Sequence, residues 1–79
     1  SFIIDLMSEL ERAEKNHAPL HSLHEAYAVI LEEVDELWEE TRKKREERSK
    51  KRIRSELIQI AAMAWRCARD MGIEDGRLI

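Results

Sequence analysis

The sequence has one cysteine, Cys67, so no disulfide can close within the chain. That fits a reducing, cytoplasmic setting. It has one proline, two glycines, two tryptophans, one tyrosine and one phenylalanine, too few turn residues for the many short strands of a β-sandwich or barrel. No β-branched alternating run occurs. No apolar run reaches the roughly 18 residues that cross a bilayer, so a membrane is not an expected partner. The start, Ser1-Phe2-Ile3-Ile4, lacks the basic region, apolar core and cleavage site of a signal peptide. It also lacks Met, compatible with trimmed termini.

What is present is helix-forming. Leu, Ile, Ala, Glu, Lys and Arg dominate, 39% of residues are charged, and the net charge is −3. The 79 residues allow one domain, spanning 1–79. Apolar residues Phe2, Ile3, Leu6, Met7, Leu10 and Ala13 recur at steps of three and four, which predicts an amphipathic helix from about Phe2 to Lys15. Asn16-His17-Ala18-Pro19 ends it, because proline cannot continue a helix. A second helix starts between Pro19 and Ser22, where Ser22 and Glu25 have capping-box spacing. Its Leu20, Leu23, Tyr27, Ile30, Val34 and Leu37 form a heptad seam, widened by Leu31 and Trp38. The helix is expected to run into the basic stretch Arg42–Arg54 and break near Ser49. A third helix covers about Lys51 to Met71, with Gly72 as its C-terminal cap, and Ile73–Ile79 is a tail. The block Leu57–Trp65 is apolar almost all round. Three helices cannot surround one of their own, so an all-α bundle of three main helices completed by homo-oligomerisation is expected, with Trp38 and Trp65 in the core or an interface.

The densest chemistry is the acidic stretch from Glu32 to Glu40. Glu33 and Glu36 are i,i+3 neighbours, and Glu56 and Gln59 repeat that spacing on the next helix. Antiparallel packing of the two helices would set three carboxylates and an amide oxygen face to face. Such hard oxygen donors suit Mg²⁺ or Mn²⁺. The plainer alternative is a solvated face, on which Glu39 pairs with Lys43 and Glu40 with Lys44. Against it, like charges at this density cost stability unless something neutralises them, and Gln59 adjoins the most apolar block.

The segment His24-Glu25-Ala26-Tyr27-Ala28-Val29-Ile30-Leu31-Glu32-Glu33-Val34-Asp35-Glu36-Leu37-Trp38, followed by Glu56-Leu57-Ile58-Gln59-Ile60-Ala61-Ala62-Met63-Ala64, resembles the MazG-like all-α nucleoside triphosphate pyrophosphohydrolases. That family carries Glu-Glu-x-x-Glu on one helix and Glu-x-x-Asp on the next. The resemblance covers about residues 20–71. The first motif is matched in full; the second departs at Gln59, where the family usually has Asp. The resemblance implies a helical bundle forming a homodimer or homotetramer. It implies Mg²⁺ held by Glu33, Glu36 and Glu56, with Glu32 nearby and Gln59 in the fourth ligand position. It also implies hydrolysis of a nucleoside triphosphate to monophosphate and pyrophosphate, a house-cleaning activity on (d)NTPs. A carboxylate not fully used as a ligand, Glu32 or Glu33, would take the attacking water's proton. Arg66 and Asp70 continue the Glu56–Gln59 face at steps of seven and four, which makes them, with Glu25 at the site entrance or a helix start, candidates for substrate binding. An ordinary ion pair is the plainer role for Arg66 and Arg69.

The alternatives are a non-catalytic helical oligomerisation module, or a relative inactive because Gln59 replaces Asp. His17, His21 and His24 stand at steps of four and three, but Pro19 interrupts the first step and no cysteine or acid stands at zinc-ligand spacing. A di-iron bundle needs Glu-x-x-His pairs, which the chain lacks. The basic run has no interleaved aromatics and is diluted by Glu46 and Glu47. It therefore reads as a solvated hairpin rather than a nucleic-acid surface.

Overall fold

The structure, a computed structural model, describes residues 1–75. Three α-helices form it: α1 (Phe2–Asn16), α2 (Leu23–Thr41) and α3 (Lys50–Asp70). A single 3₁₀ turn, Arg45–Glu47, lies between α2 and α3. No strand occurs among the described residues, and none of the helices is long and apolar enough to cross a membrane. Of the expected tail, residues 76–79 lie outside the described residues.

Local chemistry sets the helix ends. Ser1 caps α1, its hydroxyl accepting from the Ile4 N–H. Ser22 caps α2 by accepting from the Glu25 N–H at 3.0 Å, while the Glu25 carboxylate reaches back to the His21 N–H at 3.4 Å. These contacts satisfy N–H groups that a helix start otherwise leaves unpaired. Ser49 caps α3 through the Arg52 N–H. Gly72 takes φ 70°, the left-handed conformation that ends a helix at least cost on glycine.

α2 stops at Thr41 rather than running towards Ser49. The reason is Glu40. Its carboxylate accepts from the Ser49 N–H at 3.0 Å and from Lys43 Nζ at 3.1 Å, with Arg52 3.6 Å away. The acid thereby draws the start of α3 against the end of α2. The Ser49 N–H, followed by the Lys43 ammonium, holds the Glu40 carboxyl below the usual carboxylate range. Glu40 is 1% exposed, so the solvent face expected for it is not where it lies. Its expected pairing with Lys44, and that of Glu39 with Lys43, are replaced by Lys43–Glu40 and Arg42–Glu39. The basic segment itself is exposed.

α3 is the central element. α1 and α2 each pack against it and not against one another. Ala13, Ala26 and Ala62 are buried at these contacts, where small side chains let the helices approach closely. Leu10, Leu20, Ile58 and Met63 fill the rest of the core. The α2 face turned to α3 carries Ala26, Val29, Ile30, Glu33, Leu37 and Glu40, the last buried and the others buried or half-buried. This corrects the expected heptad seam. Leu20 is buried and Ile30 and Leu37 half-buried, but Leu23, Tyr27 and Val34 are exposed. With Leu31 and Trp38 they form one outward apolar stripe. The seam is real as a stripe, but among the described residues the face that meets α3 is the neighbouring one, which sets Ala26, Val29, Ile30 and Leu37 beside Glu33 and Glu40. Trp38 and Trp65 are likewise exposed rather than core.

The segment before α2 is tied to the end of α3. The Leu20 N–H donates to Asp70 Oδ2 at 2.9 Å, and Asp70 Oδ1 accepts from Arg69 Nε at 3.3 Å. Arg69 also pairs with Glu14 of α1. Asp70→Ala leaves the Leu20 N–H without its acceptor. It is expected to lower unfolding free energy by about 1–3 kcal/mol in urea titrations, with a smaller loss for Asp70→Asn.

Candidate metal centre

Because α1 and α2 pack on α3 and not on one another, a cleft of about 390 Å³ remains between them. Gln59, Met63 and Arg66 of α3 line it; Glu9 and Arg12 come from α1, and Glu33 from α2.

Beside the cleft the α2–α3 contact gathers three carboxylates. One oxygen from each of Glu33, Glu36 and Glu56 lies within 4.8 Å of the others. The i,i+3 step on α2 places Glu33 and Glu36 on one face. The antiparallel course of α3, held by Glu40 near the connection and by the packing of Ala26 with Met63 further along, brings Glu56 opposite. Glu56 is buried, and its Oε2 has no hydrogen-bond partner. Burial first, and then the neighbouring Glu36 and Glu56 carboxylates, push the Glu33 carboxyl from the ordinary 4.5 up to about 7. Burial and Glu36 also push Glu56 up. Without a cation, the cluster holds its charge down by retaining protons.

The donor set fits a hard divalent cation. It consists of oxygen only, carries up to three negative charges, includes one buried oxygen without a partner, and spans the separation that a small ion bridges.

The other sequence candidates fall in different places. Gln59 is half-buried in the cleft, where its side chain, after the dominant effect of Arg12, helps to lower the Glu9 carboxyl. Glu32 is exposed beside Glu33 and outside the carboxylate group. Glu25 lines the cleft near its helix start. Arg66 lines it as well and is buried. Asp70 is engaged instead with the Leu20 N–H and Arg69. Arg69 makes the ordinary ion pairs expected of it; Arg66 makes none among the described residues.

Two residues escaped the sequence reading. Glu9 accepts from Arg12 at 2.9 Å and through a second, shorter contact. Arg12 in turn forms part of the α1 wall. Both sit on a helix whose i,i+3 Glu–Arg pair is commonplace, and only its placement opposite Gln59 gives them significance. No protein-family model matches the chain, and no curated protein or solved structure matches it.

The raised Glu33 carboxyl has a definite sign in stability. An acid that binds its proton more tightly when folded favours the folded state fully below the unfolded value, near 4.5, and loses that contribution as pH rises to about 7. In chelator-containing buffer, wild-type thermal stability is therefore expected to fall relative to Glu33→Gln between pH 4.5 and 7. Parallel curves for the two proteins would contradict the assignment.

Proposed function

We propose that the chain is a Mg²⁺-dependent nucleoside triphosphate pyrophosphohydrolase of MazG-like type, with Mn²⁺ as an alternative ion, working as a homodimer or homotetramer. One observation carries this reading. Glu33, Glu36 and Glu56 converge from two helices, with an unpartnered buried oxygen on Glu56, beside a cleft that also holds a buried cation. An acidic patch on a solvated helix face has neither feature. The Glu32-Glu33-x-x-Glu36 motif, matched in full, and Glu56-x-x-Gln59, matched at Glu56 and departing at Gln59, supply the chemical class.

In this reading Glu33, Glu36 and Glu56 would hold the cation, and Gln59 would supply a neutral fourth donor through its carbonyl oxygen. When bound, a divalent ion supplies neutralisation of polyphosphate charge and lowers the pKa of a coordinated water. The remaining steps belong to the protein. Glu33, whose carboxyl is pushed up to about 7, would release its proton as the site fills. Glu32, exposed one residue along, or the second oxygen of Glu33, accepts the proton of the attacking water. Arg66, which makes no ion pair among the described residues, gives the cleft positive charge towards an anionic ligand, whereas Arg12 is held by Glu9. The outward stripe of Leu23, Tyr27, Leu31, Val34 and Trp38 supports assembly through α2, since a run of large apolar groups along one helix face is what association buries.

The test is pyrophosphate release from a panel of (d)NTPs with Mg²⁺ or Mn²⁺. Turnover of at least one nucleotide is expected. Glu36→Ala is expected to abolish it, by at least about a hundredfold for lost metal binding, while sedimentation shows the oligomer unchanged. No turnover with any nucleotide, together with no thermal shift on adding Mg²⁺, favours the non-catalytic oligomerisation module. Activity surviving in Glu36→Ala overturns the ligand assignment.

A further inference from the structure

Arg66 is a buried cation with no counter-ion among the described residues. It is 5% exposed. Its Nη2 donates to the Ala18 carbonyl at 3.1 Å and its Nη1 faces Met63 Sδ at 3.6 Å. Its Nε has no partner. Five other arginines meet a carboxylate: Arg12 with Glu9, Arg42 with Glu39, Arg52 with Glu40, Arg54 with Asp5 and Arg69 with Glu14 and Asp70. Arg66, the most buried of them, has only a neutral carbonyl and a thioether. A guanidinium stays charged under all ordinary conditions, and a buried charge without an opposite partner is a standing cost. Folding has nevertheless set it in the wall of the cleft that Glu33 also lines.

The position along α3 says what would match it. Ten residues separate Glu56 from Arg66, about 15 Å of helix axis at 1.5 Å per residue. Side chains on a helix lean towards its N-terminus, and the contact with Met63 follows that direction. The guanidinium is held between Met63, one turn back along α3, and the Ala18 carbonyl. It shares the cleft lining with Glu25, Glu33 and Gln59, and the Glu33–Glu36–Glu56 group lies beside that cleft. Arg12 is not an equivalent second cation, because Glu9 occupies it.

We propose that Arg66 forms an anion subsite that binds a phosphate of the ligand's polyphosphate chain, separate from the carboxylate group. The ligand's identity as a nucleotide rests on the function proposed above, whereas the subsite rests on Arg66 and its surroundings. The guanidinium fork donates two parallel N–H groups to phosphate oxygens, the geometry that distinguishes arginine from lysine. The Ala18 carbonyl holds the fork in place before the ligand arrives. The cleft therefore selects for the phosphate chain, and a nucleoside lacking phosphates gains nothing from this contact.

The experiment uses the full chain in excess chelator, so that the carboxylates hold no ion. Inorganic tripolyphosphate is titrated calorimetrically into wild type, Arg66→Lys and Arg66→Met. Measurable binding is expected for wild type, at least about tenfold weaker for Arg66→Lys, which keeps charge but loses the fork, and none for Arg66→Met. In parallel, the side-chain N–H signal of Arg66 is followed by NMR in wild type, a readout that requires no variant to bind or fold beyond assignment through Arg66→Lys. It is expected to shift and saturate with the calorimetric curve. No binding to wild type, or binding of equal strength in Arg66→Lys with an unmoved Arg66 signal, overturns the subsite. Because no metal is present, failure of Mg²⁺-dependent hydrolysis leaves this result untouched, and failure of the subsite leaves the metal centre standing.

Discussion

The repulsion among Glu33, Glu36 and Glu56 is the constraint on which the arrangement depends. These acids occupy the contact between α2 and α3, where a helical hairpin would ordinarily bury aliphatic side chains. With oxygens within 4.8 Å of one another, they cannot all be ionised at ordinary cost. Two remedies exist: retention of protons, seen in the raised Glu33 and Glu56 carboxyls, or a cation. A cation would relieve the repulsion without protonating the acids.

The neighbouring charges on the same contact show what a purely structural solution looks like. Glu40 is more deeply buried than Glu33, yet a backbone N–H, a lysine and an arginine surround it. Asp70 is met by a backbone N–H and an arginine. At the carboxylate cluster the chain leaves Glu56 Oε2 without a partner, and at Arg66 it leaves Nε without one. A fold that neutralises some buried charges and leaves others of both signs beside one cleft has concentrated its electrostatic cost where a ligand can relieve it. That place stays open because α1 and α2 each pack on α3 and not on one another.

Much of this was legible in the sequence. Ser22 and Gly72 mark helix ends through caps that act within four residues, so they read correctly from local order, whereas the expected run of the second helix to Ser49 does not occur and Ser49 instead caps α3. Glu33, Glu36 and Glu56 could be grouped because helical spacing and antiparallel packing suffice to bring them together. Glu40 could not be placed, because its partners Ser49 and Arg52 come from across the connection. The outward stripe of Leu23, Tyr27 and Val34 was taken for the packing seam because hydrophobic periodicity reports which face is apolar and not which partner covers it. Glu9 and Arg12 went unseen because nothing in α1 alone says that it lies against Gln59. Arg66 was recognised as a candidate, but its lack of a counter-ion is a tertiary fact.

The most direct test of the central claim is binding of Mn²⁺ to the chain alone, read as loss of the free-ion EPR signal at pH 8. Saturable binding is expected, weakened about 10- to 100-fold or more by Glu56→Gln, and weaker at pH 6, where the ion must displace the proton held by Glu33. No saturable binding to wild type, or equal binding in Glu56→Gln, would contradict the assignment of Glu33, Glu36 and Glu56 as a metal centre.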